Sequence, residues 1–324
     1  MKKKILSILL RIVISAGLLG YFLFTLAQKN GGFGQAFHQL LQAFAQANLM
    51  WLIPAASLHI VGFSLISFRW KLLLKAQDVE AGFGRLFQYY FMAAFFNLVL
   101  PSSIGGDAVR AMESRRLVGT ATMSITVVIV ERLTGLMALI LISATAFAVK
   151  LSGSVDQTGN IWLFLLFGAA AFLILIGLIH PKVTTRFIPI TRKILPAKLQ
   201  QLLEAAIDAV TAYYKQPLYF FSGLAISTIF QLNMVLYYYL IARALQQDPN
   251  PIDFAMKIPL MIFLLMVVPA INGLGVRTAG FKELMNFPAA GAIAAEMIDL
   301  GLRIAFGLTG GLLYLLHRRT PSNN

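Results

Sequence analysis

Two short stretches of the chain set proline, glycine and arginine in the same order. The first reads Leu98-Val99-Leu100-Pro101-Ser102-Ser103-Ile104-Gly105-Gly106-Asp107-Ala108-Val109-Arg110. The second reads Met266-Val267-Val268-Pro269-Ala270-Ile271-Asn272-Gly273-Leu274-Gly275-Val276-Arg277. Both pass from an apolar run through proline and paired or spaced glycines to Val-Arg. Each is followed by a long apolar run holding acid and arginine: Glu131 and Arg132 after the first, and Glu296, Asp299 and Arg303 after the second. Proline removes a backbone donor, and glycine lets the chain turn where a side chain would clash. Unwound backbone at membrane depth is tolerated only where it is buried in protein or lines a wet cavity. Free N–H groups after such a break, with Arg110 or Arg277 nearby, favour an anion such as a phosphate headgroup. The expected headgroup-binding path is therefore Pro101, Ser102, Ser103, Gly105, Gly106, Asp107, Arg110, Glu131 and Arg132 in one half. In the other it is Asn272, Gly273, Gly275, Arg277, Glu296, Asp299 and Arg303.

Other chemistries find little support. With no cysteine there is no disulfide, thiolate metal site or cysteine nucleophile. His38, His59, His180 and His317 are scattered without metal-ligand spacing. No Ser-His-Asp order, phosphate-binding glycine loop or HExxH is present. Asp107 stands alone, whereas phospho-alcohol transfer uses several acids to hold metals. The expectation is a protein that is not an enzyme, with no catalytic residue, no metal and no cofactor.

The elements that must position these residues are membrane helices. Apolar residues form 58% of the chain and charged residues 12%, about half the charged fraction of a soluble protein. Apolar runs near 5–27, 49–67, 122–149, 161–180, 217–242 and 291–316 predict full spans, since about 20 apolar residues cross a hydrocarbon core. Shorter segments near 86–100 and 258–272 lead into the two glycine motifs, and amphipathic pieces near 35–48 and 192–215 are expected along the membrane surface. The first run, with Arg11 inside it, is longer than a signal-peptide core and is expected to be retained. The predicted fold class is all-α: a polytopic membrane helix bundle of six full spans plus two re-entrant Pro/Gly-broken segments, forming an inverted pseudo-repeat. It is a single transmembrane domain over residues 1–320, with repeat halves at about 49–180 and 217–318 and a disordered tail at 321–324.

The net charge of +14 would suggest nucleic acid in a soluble protein, but here the basic residues cluster at the ends of apolar runs. Lys2, Lys3 and Lys4, the group Arg69, Lys71, Lys75 and Arg85, the long basic loop at 181–216, and Arg318 and Arg319 all fall on the cytoplasmic side if the two broken segments enter from opposite faces and return. Such paired broken segments are the best sequence pointer to a transporter's central site. Tyr237, Tyr238 and Tyr239 read as an interfacial aromatic belt, Trp51 and Trp70 as anchors, and Arg11 as a snorkelling residue without a role.

The stretches Phe68-Arg69-Trp70-Lys71, Asn97 to Arg110, Val130-Glu131-Arg132-Leu133-Thr134-Gly135-Leu136 and Gly273-Leu274-Gly275-Val276-Arg277 resemble the lysylphosphatidylglycerol synthase transmembrane-region family. This is the flippase half of the bacterial multiple peptide resistance factor, also found as stand-alone membrane proteins. The resemblance covers nearly the whole chain. It implies translocation of a phospholipid or lipid-linked anion between leaflets of the bacterial cytoplasmic membrane, with both termini cytoplasmic. The partners implied are a membrane lipid with an anionic headgroup and no nucleic acid, with a homo-oligomer or a lipid-synthesis enzyme as further partner. Two departures stand out: the family's Val-Arg-Glu is here Arg277-Thr278, and the chain ends just after its last span, so the synthase's aminoacyl transfer does not carry over. Alternative readings are a secondary carrier of a small soluble anion, a membrane enzyme acting on a lipid phosphate, or a non-catalytic accessory subunit of a lipid-modifying system.

Overall fold

A computed structural model describes residues 2–29, 31–99, 105–118, 121–153, 200–201, 204, 213 and 216–319. The expected span at 161–180, nearly all of the amphipathic piece at 192–215, and Pro101, Ser102 and Ser103 lie outside the described residues. All regular structure among the described residues is helical. In chain order the helices are α1 (Lys2–Lys29), α2 (Phe33–Ala45), α3 (Leu49–Lys75), α4 (Phe83–Val99), α5 (Gly105–Val118), α6 (Ala121–Gly153), α7 (Pro217–Ala244), α8 (Pro251–Val267), the single turn α9 (Val276–Ala279) and α10 (Ala289–Arg319). A π-helical turn, Gly280–Leu284, continues α9.

Five of these helices, α1, α3, α6, α7 and α10, are long and apolar enough to cross a membrane. They coincide with the expected full spans other than 161–180. The chain is thus an all-α, multi-pass membrane protein. The segments leading into the glycine motifs, α4 and α8, have 17 residues each. At 1.5 Å per residue they reach about 25 Å, short of the ~30 Å hydrocarbon core.

The chain divides into two compact units. One comprises Met1–Phe63, Gln88–Val109 and Leu232–Asn324; the other comprises Ser64–Phe87 and Arg110–Gln231.

In the first unit the core is aromatic and aliphatic: Tyr237, Tyr238, Phe254, Ile258, Met261, Phe281 and Phe287 are buried together. Local signals set the helix limits. Asn250 caps α8 by accepting from the amides of Ile252 (2.9 Å) and Asp253 (3.2 Å), with Pro251 at the first helical position. The helix stops where Val268 turns extended before Pro269, as the residue before a proline must. A seam of small residues brings α10 against α4. A Cβ on Gly310 would collide with the Phe91 carbonyl, one on Gly307 with the Leu98 side chain, and one on Gly311 would lie 2.8 Å from the Phe95 ring. Close approach on small residues is how membrane helices gain packing where no hydrophobic force drives them together. Phe96 and Tyr314 close the seam edge to face, with centroids 5.0 Å apart.

In the second unit Trp70, Leu73, Leu74, Leu86, Val127, Val130 and Leu139 are buried. Tyr213 donates its hydroxyl to the Leu73 carbonyl (2.8 Å) and accepts from Gln77 (2.9 Å). Burial pushes this phenol above its ordinary range.

Gly310→Val is expected to force the α4–α10 seam apart and to cost on the order of 1–3 kcal/mol, the usual range for overpacking. Gly301→Ala is the control: its added Cβ meets nothing within 4 Å. Thermal unfolding in detergent, followed by intrinsic fluorescence, should show a lowered midpoint for the first substitution only.

Candidate functional site

The second glycine motif forms a loop held by side chains. Once α8 ends, its backbone groups need new partners in a place without water. Asn272, Gly273 and Gly275 adopt positive φ (51°, 70° and 79°), which asparagine and glycine accept most readily. A Cβ on Gly275 would strike Leu18 of α1. Ser15 of α1, 5% exposed, accepts the amide of Ile271 at 2.7 Å. Glu296 of α10, 0% exposed, accepts the amide of Gly275 with both carboxylate oxygens (2.9 and 3.0 Å) and also takes the Thr278 hydroxyl. The amides of Ala270, Leu274, Val276 and Arg277 bond to carbonyls within the loop. The expectation that this loop's free N–H groups would hold an anion is therefore corrected for these positions, because the protein itself satisfies them.

The charges beside the loop form a cluster. Asp299, 2% exposed, receives Arg277 at 3.0 Å and Arg303 at 2.8 Å on one oxygen. The other oxygen accepts the hydroxyls of Tyr237 (3.0 Å) and Tyr238 (3.5 Å). The hydroxyl of Tyr238 in turn accepts from Arg277 Nε at 3.2 Å. Both guanidiniums also donate to the Asn272 carbonyl, at 2.5 and 3.1 Å. Two arginines on one carboxylate leave a net positive charge. The Arg303 Nη2 is buried and has no hydrogen-bond partner among the described residues.

A cavity of about 260 Å³ opens on this cluster, within the first unit. Its polar lining comes from Arg11, Asn97, Asn272, Arg277 and Arg303, with Pro269 at the end of α8. Among the described residues, three guanidiniums and no carboxylate line it. In a low-dielectric surrounding such a cavity attracts an anion, and guanidinium forks match phosphate oxygens.

The first glycine motif leads to a second cluster, described in the other unit. Arg110 pairs closely with Glu131, itself 3% exposed, and lies over the Trp70 ring with 4.6 Å to its centroid. Arg69 approaches the same carboxylate at 3.5 Å and donates to Ser227 at 2.9 Å, which bonds on to Thr134 at 3.1 Å. Both motifs thus end in an arginine paired with a buried acid, and each acid has a second arginine. In the first unit, the amide of Gly106 is capped by the Asn97 side chain at 2.8 Å, and an added Cβ would lie 2.6 Å from the Ala93 carbonyl.

The structure brings Asn272, Gly273, Arg277 and Arg303 to the cavity, with Asp299 binding the two arginines and Glu296 and Gly275 tying the loop. It brings Arg110 and Glu131 together elsewhere. Gly105, Gly106 and Asp107 open α5, and Arg132 is exposed. Several readings are corrected. Tyr237 and Tyr238 are not an interfacial belt: each is 1% exposed and bound to Asp299. Trp70 is not a surface anchor but a buried platform for Arg110. Arg11, assigned no role, lines the cavity. Ser15, an ordinary residue in an apolar run, carried no signal, whereas Arg69, Trp70 and Asn97 stood in the family-like motifs.

The family model described as the lysylphosphatidylglycerol synthase TM region matches residues 8–311. The chain belongs to this family. The match takes in both glycine motifs, both arginine–carboxylate clusters and every residue lining the cavity. No curated protein and no solved structure matches the chain. Membership of the lysylphosphatidylglycerol synthase TM-region family fits a lipid-related role in a membrane.

Asp299→Ala is expected to leave two guanidiniums partly buried and uncompensated, at a cost of about 3–5 kcal/mol. The additional change Arg303→Leu should recover part of that loss. Unfolding midpoints of the two variants in the same detergent check the order.

Proposed function

We propose that this protein moves a phospholipid, or a lipid-linked anion, between the leaflets of the bacterial cytoplasmic membrane. The phosphate occupies the cavity lined by Arg11, Arg277 and Arg303. That three-arginine lining, with no carboxylate among the described residues, is the observation that carries the reading. Intramembrane cations are expensive and mark substrate paths. Here two of them are fixed by Asp299, while Arg11 has no ion pair among the described residues, so the cavity keeps an uncompensated charge for a ligand. The family's lipid-related role supports the same conclusion.

In this reading the protein is a transporter and not an enzyme. The two Pro/Gly-broken segments are taken as the pseudo-symmetric elements of an inverted repeat, a reading supported by the arginine of each motif pairing with a buried acid, Arg110 with Glu131 and Arg277 with Asp299. The basic residues at the helix ends put both termini in the cytoplasm.

Reconstituted protein in liposomes carrying a headgroup-labelled anionic phospholipid tests this. Protein-free liposomes lose about half their fluorescence to a membrane-impermeant quencher, because only the outer leaflet is reached; active protein exposes the rest. Arg11→Gln removes one charge-assisted contact worth about 1.5–3 kcal/mol, so flipping should slow on the order of tenfold or more with the unfolding midpoint unchanged. No loss beyond the outer leaflet across several headgroups, with uptake of a small soluble anion instead, would overturn the lipid reading in favour of a soluble-anion carrier.

A further inference from the structure

Three buried carboxylates lie in the apolar helices α6 and α10, and they differ in company. Glu131 has Arg110 and Arg69; Asp299 has Arg277 and Arg303. Glu296 is fully buried, and among the described residues it forms no ion pair. Its partners are all neutral: the amide of Gly275 on both oxygens and the hydroxyl of Thr278. Burial disfavours the charged form of such a group, whereas hydrogen bonds to the carboxylate favour it. Glu296 has no ion pair of its own to hold its charge, although the Arg277 guanidinium acts on it from a distance, so in a low dielectric it is a carboxylate able to take up a proton.

Its position gives that proton a consequence. Gly275 closes the loop whose other fixed point is Ser15 on Ile271, and the loop's Asn272 carbonyl lies under both cavity arginines. Among the described residues, α10 ties the loop backbone at two places: Glu296 holds the Gly275 amide and Arg303 the Asn272 carbonyl. An ionised carboxylate accepts from the amide and the hydroxyl at once with charge-assisted strength. A protonated one loses that charge and turns one oxygen into a donor, so the Gly275 amide, which bonds to both oxygens, keeps only a neutral carbonyl acceptor and the tie weakens. We infer that Glu296 is a proton-binding site whose occupancy loosens the Gly275 end of the loop from α10, while Arg303 keeps its bond to the Asn272 carbonyl, so that movement of an anion through the cavity is linked to protons. The proton is taken from water and returned to it, and no other reactant is needed.

The neighbouring charges do not supply the same switch. Arg277 and Arg303 are committed to Asp299, and Tyr237 and Tyr238 of α7 donate to that same acid. On the π-helical turn, Lys282 pairs with Glu283 at 2.6 Å and lies over Phe22 of α1. His38 of α2 is exposed, Arg11 of α1 lines the cavity, His59 of α3 stacks on Phe306, and α8 carries Asp253 and Lys257 in its first two turns.

The inference extends the transport reading, yet its test does not depend on flipping. The chain has no cysteine, so Ala270→Cys gives a single thiol on the loop, where the native side chain is 8% exposed. Its labelling by a membrane-impermeant maleimide is divided by that of a Gly82→Cys reference, an exposed position, which removes the thiol's own pH dependence. On acidification the ratio should climb, by up to on the order of tenfold per pH unit for one proton. With Glu296→Gln the ratio should be independent of pH. Infrared difference spectra, acid minus neutral, should show a protonated-carboxyl stretch in the wild type that Glu296→Gln lacks. Thr278→Val, which removes a donor to the carboxylate, should move the midpoint of that band to higher pH. A labelling ratio flat with pH in the wild type, or a carboxyl band that persists unchanged in Glu296→Gln, would overturn the proposal even if lipid is flipped. The expected results would sustain the proton site even if the transported anion proves to be soluble.

Discussion

A charge in the interior of a membrane protein has no water to solvate it, so it must be paired or hydrogen-bonded on every side. Asp299 meets this constraint with four partners. Arg277 and Arg303 take one oxygen, and Tyr237 and Tyr238 take the other. These partners come from α7, α9 and α10, so satisfying one carboxylate fixes three elements at once. Neither arginine is satisfied by Asp299 alone. The Nη1 of each reaches the Asn272 carbonyl, and that fixes the broken segment against α10. Removal of the carboxylate would undo the pairing, the loop and the cationic wall of the cavity together.

The broken segment follows from the same constraint applied to backbone. Pro269 and the glycines at 273 and 275 end one helix and start another at an angle, and each orphaned amide then needs a partner. Ser15 and Glu296 provide side-chain acceptors from α1 and α10. These two amides are satisfied internally, and the guanidiniums of Arg11, Arg277 and Arg303 line the cavity. The cationic charge of the cavity thus comes from side chains, and the amides of Ile271 and Gly275 are held by the protein itself. Arg110, Arg69 and Glu131 obey the same rule, with the Trp70 ring covering one guanidinium face.

The spans and the association of acids with arginines were legible in the residue order, because apolar runs of membrane length and intramembrane charges are unusual enough to read directly. Asp299 with Arg303 was readable from spacing alone, since residues four apart share a helix face. Glu131 and Arg132, being adjacent, were expected to point different ways, and one is buried while the other is exposed. The tyrosines were not legible in this way. Tyrosines near a span end read as an interface belt, and only the packing of α7 against α10 turns two of them inward.

The sequence by itself determined the class of this protein: a multi-pass helical membrane protein with two Pro/Gly-interrupted segments, each leading to an arginine, and an acid in the long apolar helix that follows. Those features rest on composition and local backbone chemistry, which need no tertiary information. The packing of the helices settles which acid meets which arginine, that Glu296 hydrogen-bonds a backbone amide, and that Arg11 from the first helix lines the same cavity as Arg303 from the last. These are contacts between residues far apart in the chain. Helical periodicity fixes the face a residue occupies on its own helix, but not the neighbour that the face will meet.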